Sequence, residues 1–140
     1  VEICIESGLD VNEADPRGFT PLAMAAYNGH DKVVQLLVSH GATVDSRDQI
    51  GNTPLIHAAS GPYPNTVKFL LEKGADVNAV DTGEQFNALM MAAAEGHMDV
   101  VQVLLEAGAD KDALDIDGES AADFARAKGH FEIVKLLTTP

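Results

Sequence analysis

Histidine and cysteine are the side chains of this sequence that could serve as metal ligands, nucleophiles or general bases. Three of the five histidines, His30, His97 and His130, each follow a glycine inside similar segments, and such regular recurrence predicts a structural role in a turn. His57 and His40 lie within predicted helices and are interpreted as packed or solvated side chains. Cys4 is the only cysteine, so it has no partner for an internal disulfide and no neighbouring histidine that would activate it.

Carboxylates offer a second possible chemistry, because the segment "ALDIDGES" at residues 113–120 resembles part of a calcium loop. The first and twelfth loop positions would be Ala113 and Phe124, where calcium needs oxygen ligands. Glycine-rich phosphate loops and the histidine or cysteine spacings of zinc sites do not occur. We therefore predict a non-catalytic protein without metal or cofactor.

Composition and charge limit the classes of partner. The chain has 140 residues and a net charge of −13, which disfavours binding to nucleic acid or to an anionic membrane. Ten acidic residues and one basic residue lie between Asp81 and Glu119. The acidity favours solubility, with a basic protein partner as the alternative. The lone cysteine and the lack of a long apolar run predict an intracellular, cytoplasmic monomer.

An internal repeat organises the whole chain. Thr-Pro-Leu at residues 20–22 recurs at 53–55, and Gly-Ala at 41–42 recurs at 74–75 and 108–109. These recurrences predict one domain over residues 1–140, with the tail of a repeat at 1–14, full repeats at 15–47, 48–80 and 81–114, and a terminal repeat at 115–140. The third repeat carries one extra residue.

Each repeat contains the signals of two short helices. Asp-x-x-Gly predicts a tight turn, and the following Thr-Pro predicts a helix start. An Ala-rich helix then ends at a glycine, and a second helix carries Val and Leu at positions that suit a buried stripe. One such unit cannot bury its own apolar face, so we expect an all-α solenoid of stacked copies.

The consensus D-x-x-G-x-T-P-L-x-x-A-A-x-x-G-H-x-x-V-V-x-L-L-x-x-G-A-x-V resembles the ankyrin repeat over essentially the whole chain. The resemblance implies antiparallel helix pairs joined by β-hairpin-like fingers. It also implies a concave face formed by the finger tips and the first helices.

Three departures from the consensus matter. The terminal repeat reads "DGESAADFARAKGH", and its polar first helix predicts a C-terminal cap. The N-terminal side shows no cap, which leaves either further repeats upstream or a missing capping helix. In the third repeat Phe86 lies beside the longer finger, where it either packs on the neighbouring repeat or forms an exposed anchor.

The segment "SGPYPN" at residues 60–65 replaces the Gly-His turn in the second repeat. We predict that the first helix there ends one residue early, at Gly61 in place of Gly29, and that Pro64 opens the second helix. The repeat period continues through this segment, so it is not a linker. Tyr63 would become a contact residue if it proved largely exposed.

The predicted function is protein–protein interaction through the finger tips and the concave first-helix face. The alternative is a regulatory or targeting domain of a larger enzyme or receptor. Tyr27, Phe86 and Arg17 lead the candidates, and we expect Phe86→Ala and Tyr27→Ala to weaken binding with almost no effect on thermal stability. The full set of candidate contact residues is Arg17, Phe19, Tyr27, Asn28, Gln49, Ile50, Asn52, Ser60, Glu84, Gln85, Phe86, Met90, Glu95, Ile116 and Glu119.

Overall fold

The computed structural model describes residues 10–139. Cys4 and most of the partial repeat at 1–14 lie outside these residues. Eight helices form the described chain: α1 (Pro21–Tyr27), α2 (Asp31–Ser39), α3 (Pro54–Ala59), α4 (Pro64–Glu72), α5 (Ala88–Glu95), α6 (Met98–Glu106), α7 (Ala121–Ala127) and α8 (Phe131–Thr138). They make four helix pairs, and the all-α solenoid predicted from the repeats is confirmed.

The first helix of every pair begins at a side-chain cap. Thr20 Oγ1 accepts the Ala23 N–H at 3.1 Å, and Asn87 Oδ1 accepts the Met90 N–H at 2.8 Å. Thr53 and Ser120 cap α3 and α7 in the same way. These caps satisfy backbone donors that a helix start leaves unpaired, so a capping Thr, Asn or Ser fixes where each first helix begins.

Small and aliphatic side chains form one continuous core through the stack. The first helices bury alanines such as Ala26, Ala59 and Ala93, and the second helices bury valines such as Val34 and Val67. Helix α1 packs on α3, α3 on α5, and α5 on α7. Alanine allows this close approach between helices, and each repeat is stabilised mainly by its neighbours.

A finger precedes each first helix and is closed by its aspartate. In the first finger Asp15 Oδ1 accepts the backbone N–H groups of Arg17 and Phe19 at 2.9 and 3.0 Å. Neighbouring fingers are joined by backbone bonds, as from the Gln49 N–H to the Arg17 carbonyl at 3.1 Å. No strand forms within residues 10–139, so the fingers are linked turns rather than regular hairpins.

The third finger is built differently because of its extra residue. The left-handed position that Gly18 and Gly51 occupy in earlier fingers is taken by Gln85, with φ of 63°. Gly83 does not adopt a positive φ. The Asp81 N–H reaches the Phe86 carbonyl, one residue further along than in the other fingers. A non-glycine residue is strained in this conformation, so the insertion adds a local cost.

The turn at residues 60–65 agrees with two of the predictions and corrects one. Helix α3 ends at Ala59, one residue earlier than its counterpart in the first repeat, and Pro64 opens α4. Gly61 follows the C-terminal cap Ser60 as Gly29 follows Asn28, but Gly61 is not in the left-handed region and does not end its helix as Gly29 ends α1. Gly61 instead provides space, because a Cβ there would overlap the Tyr63 ring.

Tyr63 takes the structural position of the repeated histidine. Its ring lies where a Cβ at Gly29 would be, just as the His130 ring lies 2.7 Å from a Cβ built at Gly96. Tyr63 is half-buried, so the condition for counting it as a largely exposed contact residue is not met. The ring-on-glycine contact explains why the helix-to-helix turn keeps a bulky planar residue at this position.

The last repeat ends the stack with charged side chains. Asp123 and Arg126 occupy positions that bury Met90 and Ala93 in the third repeat. The two side chains pair with each other at 2.9 Å, and Asp123 completes a capping box with Ser120. The Ser120 hydrogen bonds and the Arg126 guanidinium lower the pKa of Asp123 below its usual value. These features support a C-terminal capping repeat.

Candidate partner-binding surface

One position of the first helices directly follows the position that packs between repeats. It holds Met24, His57, Met91 and Phe124, of which His57 is buried and the other three are at least partly exposed. Together with the fingers and the ends of the first helices, these residues form a surface that we call the first-helix face. The repeat period places equivalent residues side by side along it.

Most of the predicted contact residues lie on accessible parts of this surface. Four of them are half-buried: Phe19, Asn52, Ser60 and Phe86. The exposed ones are Arg17, Tyr27, Asn28, Gln49, Ile50, Glu84, Gln85, Glu95, Ile116 and Glu119.

Met90 is wrong as a predicted contact residue, because its side chain is only 2% exposed. It has the repeat position of Ile56, which is buried between stacked first helices. The outward side chain is that of the next residue, Met91.

Aromatic side chains surround a buried histidine in the first two repeats. The Phe19 and His57 ring centroids are 4.9 Å apart, and Tyr27 meets His57 edge-on at 5.8 Å. The Arg17 guanidinium lies 4.6 Å from the Phe19 ring centroid. We call Phe19, Tyr27 and His57 the aromatic–histidine cluster. With the adjacent Arg17 it presents a tyrosine and an arginine, both common at interface hot spots.

The Asp48 carboxylate holds His57 in place through a hydrogen bond. Its Nε2 lies 3.0 Å from Asp48 Oδ2, and Asp48 Oδ1 accepts the N–H groups of Ile50 and Asn52. Burial lowers the pKa of His57, and the Asp48 carboxylate opposes this effect without cancelling it. The ring is therefore neutral at pH 7 and donates its Nε2 proton to the carboxylate. This arrangement fixes the ring orientation and offers no free base.

Apolar side chains line a groove in the last two repeats. Phe86 and Phe124 meet edge-on with centroids 5.5 Å apart, which confirms that Phe86 packs on the neighbouring repeat. Met90, Met91 and Ala94 complete the lining. The groove has a volume of about 200 Å³ including its open mouth. We call it the apolar groove.

A wider depression joins the two regions. Tyr27 and Asn28 from the first repeat, Ser60 from the second, and Met91 and Glu95 from the third lie along it. Its volume is about 930 Å³, much of it open to solvent. Four predicted contact residues from three different repeats are thus brought together, as expected for equivalent helix ends in a solenoid.

Sequence reasoning missed the row of Met24, His57, Met91 and Phe124. Their common position in the repeat was a usable signal, because it varies in size and polarity while the residue after it is alanine in all four repeats. His57 was interpreted as packed or solvated, and the structure shows it packed. Its contact with Asp48 spans the finger and the first helix of one repeat and could not be derived from the repeat pattern.

The arrangement suits binding rather than bond chemistry. Among residues 10–139 no group of three His, Cys, Asp or Glu side chains could hold a metal ion. Asp81 and Asp115 are buried and accept finger N–H groups through Oδ1, so they are not free surface charges. What remains accessible is a broad face with aromatic, apolar and acidic side chains, of the kind that recognises another macromolecule.

Stacked helix pairs joined by aspartate-closed fingers define a helical repeat protein. The family model "Ankyrin repeats (3 copies)" matches residues 1–81, and the model "Ankyrin repeats (many copies)" matches residues 89–138. The chain belongs to the ankyrin repeat family. Ankyrin repeats are generally protein–protein interaction modules and are typically non-catalytic.

A short segment also matches a much longer human protein. It is 68% identical over 28 residues to "Transient receptor potential cation channel subfamily A member 1" of Homo sapiens, a match that covers 20% of this chain and 2% of that protein. None of the helices in the described part of the chain is both long and apolar enough to span a bilayer.

Proposed function

We propose that this chain binds a protein partner through the first-helix face and the finger tips, without catalysing a reaction. The observation that carries the proposal is where the large exposed apolar side chains lie. Of six such residues within 10–139, Met24, Tyr27, Ile50 and Ile116 belong to the first helices or the finger tips, with 40 to 59% exposure. Exposed apolar side chains grouped on one face are typical of an interaction surface.

The shape of the array supports the same proposal. Its four first helices are held in fixed register by core packing, so the surface is organised before a partner arrives. A preorganised surface loses little conformational entropy on binding. An interface of the standard size, about 800 Å² for each partner, would extend over several repeats. The acidic surface favours a basic partner, and we propose that the chain acts as a monomer in the cytoplasm.

Two triple variants with matched composition test the binding face. Tyr27→Ala, Glu84→Ala and Glu95→Ala alter exposed residues of the first-helix face. Gln35→Ala, Glu72→Ala and Glu106→Ala alter exposed residues of the second helices. Both sets remove two carboxylates, so the net charge is the same.

Each variant is used to capture proteins from cells that make this chain, with quantification by mass spectrometry. The proposal expects at least one wild-type partner to be lost, by about tenfold or more, only with the first-helix set. Equal capture by wild type and the first-helix variant, with loss in the second-helix variant, would place the binding surface on the opposite face.

A second candidate is that the repeats form a regulatory or targeting domain of a larger enzyme or receptor. The short match to a much longer channel protein favours it. Sequencing of the complete transcript tests this candidate. An open reading frame that encodes a catalytic or membrane domain would support it, and one that encodes only ankyrin repeats would refute it.

A further inference from the structure

The apolar groove is the part of the first-helix face that can enclose a side chain. All five lining residues are apolar, and Met90 is buried beneath them. Its interior volume of about 50 Å³ is far below the roughly 300–1,000 Å³ typical of sites for small molecules. The groove is therefore suited to a single aliphatic or aromatic side chain of a partner.

Unpaired carboxylates flank this groove. Glu84 is exposed two residues before Phe86, and Glu119 has in the fourth repeat the position that Phe86 has in the third. Glu95 directly follows Ala94 and is exposed, and Asp117 is exposed on the last finger. None of these four carboxylates takes part in a salt bridge of the described residues.

Positive charge near the groove is sparse. Between residues 81 and 119 the only basic side chain is Lys111, whose Nζ donates to the Thr139 carbonyl at 2.9 Å. Arg126 is paired with Asp123. Lys128 is exposed and has in the fourth repeat the position that Glu95 has in the third. The surroundings of the groove thus carry a net negative charge, which attracts a cationic partner and disfavours an anionic one.

The first-helix face has a different surface in the first two repeats. Phe19 is covered by the Arg17 guanidinium, and His57 fills the space beneath Tyr27. The wider depression that begins at Tyr27 is also lined by the polar side chains of Asn28, Ser60 and Glu95. An apolar anchor of a partner would therefore be seated in the third and fourth repeats.

We propose that the apolar groove binds a peptide segment of a partner protein that carries one bulky apolar residue with lysine or arginine close to it in sequence. The apolar residue enters between Phe86, Met91 and Phe124. The basic residues lie against Glu84, Glu95 and Glu119. This inference rests on the proposed protein-binding function and specifies the chemistry of the segment that is recognised.

Selection from a displayed library of random twelve-residue peptides tests the inference, with the purified chain immobilised at physiological salt. We expect enriched sequences to share one Leu, Ile, Met or Phe with Lys or Arg within about four residues. Sequences without a basic residue, or no enrichment at all, would overturn the inference. The capture experiment with the two triple variants would still decide the proposed function independently.

Two pairs of variants then locate the peptide, with dissociation constants measured by fluorescence anisotropy. Ala94→Leu fills the groove, and Tyr27 at the same position of the first repeat shows that a large side chain is tolerated there. Ala107→Leu, at an exposed helix end, is its control. We expect Ala94→Leu to weaken binding about tenfold and Ala107→Leu to change it less than about twofold.

The second pair changes charge alone. Glu84→Gln with Glu119→Gln removes two carboxylates beside the groove, and Glu72→Gln with Glu106→Gln removes two exposed carboxylates on the second helices. We expect about a fivefold weakening from the first pair and less than about twofold from the second. Equal effects of the two pairs would mean that peptides are attracted by net charge and would overturn the proposed site, as would binding unchanged by Ala94→Leu.

Discussion

The two ends of the first-helix face use aromatic side chains in opposite ways. In the first two repeats a buried hydrogen bond between His57 and Asp48 supports the aromatic rings from below. In the last two repeats Phe86 and Phe124 meet without any polar group and leave an open groove. The same repeat position holds histidine in one case and phenylalanine in the other. Variation at this position therefore changes the surface chemistry while the stacking of repeats stays constant.

The largest expected loss of stability follows from removing Asp48, which supports the aromatic–histidine cluster. Asp48→Ala removes the acceptor of two backbone N–H groups and of the His57 ring. Since the Asp48 carboxylate and the His57 side chain are almost fully buried, we expect a loss of about 3 kcal/mol in the free energy of unfolding. Asp15→Ala, whose carboxylate is more exposed, should cost clearly less. Urea unfolding of both variants measures the difference, and equal losses would show that the His57 contact contributes nothing.

Phe86→Ala separates packing from binding in the apolar groove. The ring is half-buried against Phe124, so we expect a loss of about 1–2 kcal/mol in stability. Tyr27→Ala, with a 54% exposed side chain, should lose about 0.5 kcal/mol or less. The sequence-based expectation of nearly unchanged stability is therefore retained for Tyr27 and revised for Phe86. Melting curves that coincide for the two variants would contradict this revision.

One substitution in the third finger is expected to stabilise the folded chain. Gln85 holds a positive φ without being glycine, so Gln85→Gly should raise stability by about 0.5–1 kcal/mol. Gly18→Ala provides the opposite control, because its φ is 84° and a Cβ there would lie 2.9 Å from the Gln49 nitrogen. That variant should lose stability. Thermal unfolding measures both, and a loss for Gln85→Gly would show that the extra residue is held without strain.

A smaller effect concerns pH. The pKa of His57 is lower in the folded chain than the usual value of 6.5, so the unfolded chain takes up a proton at a higher pH than the folded one. The contribution of neutral His57 to the free energy of unfolding is fully present above pH 6.5. It declines as the pH falls through the pKa of His57 in the folded chain. Unfolding between pH 7.5 and 5.5 should be less pH-dependent in His57→Gln than in wild type. An identical slope would contradict a depressed pKa.

The helical architecture could be predicted from the sequence because the same helix signals occur in several repeats. Thr-Pro, Gly-Ala and the Val-Leu stripe each mark the same helices several times, so α3 and α4 were placed correctly even across residues 60–65. Contacts that occur once were not predictable. The positive φ lies at Gln85 and not at Gly83 because one residue is inserted in the third finger. Met90 was predicted to be a contact residue, but the accessible side chain is that of the next residue, Met91.

Hydrogen–deuterium exchange tests the central claim most directly. Exchange is compared for the free chain and for the chain bound to the partner recovered in the capture experiment. If the first-helix face binds the partner, backbone amides of the fingers and of α1, α3, α5 and α7 exchange more slowly in the complex, while those of the second helices change little. Slower exchange confined to α2, α4, α6 and α8 would contradict the account.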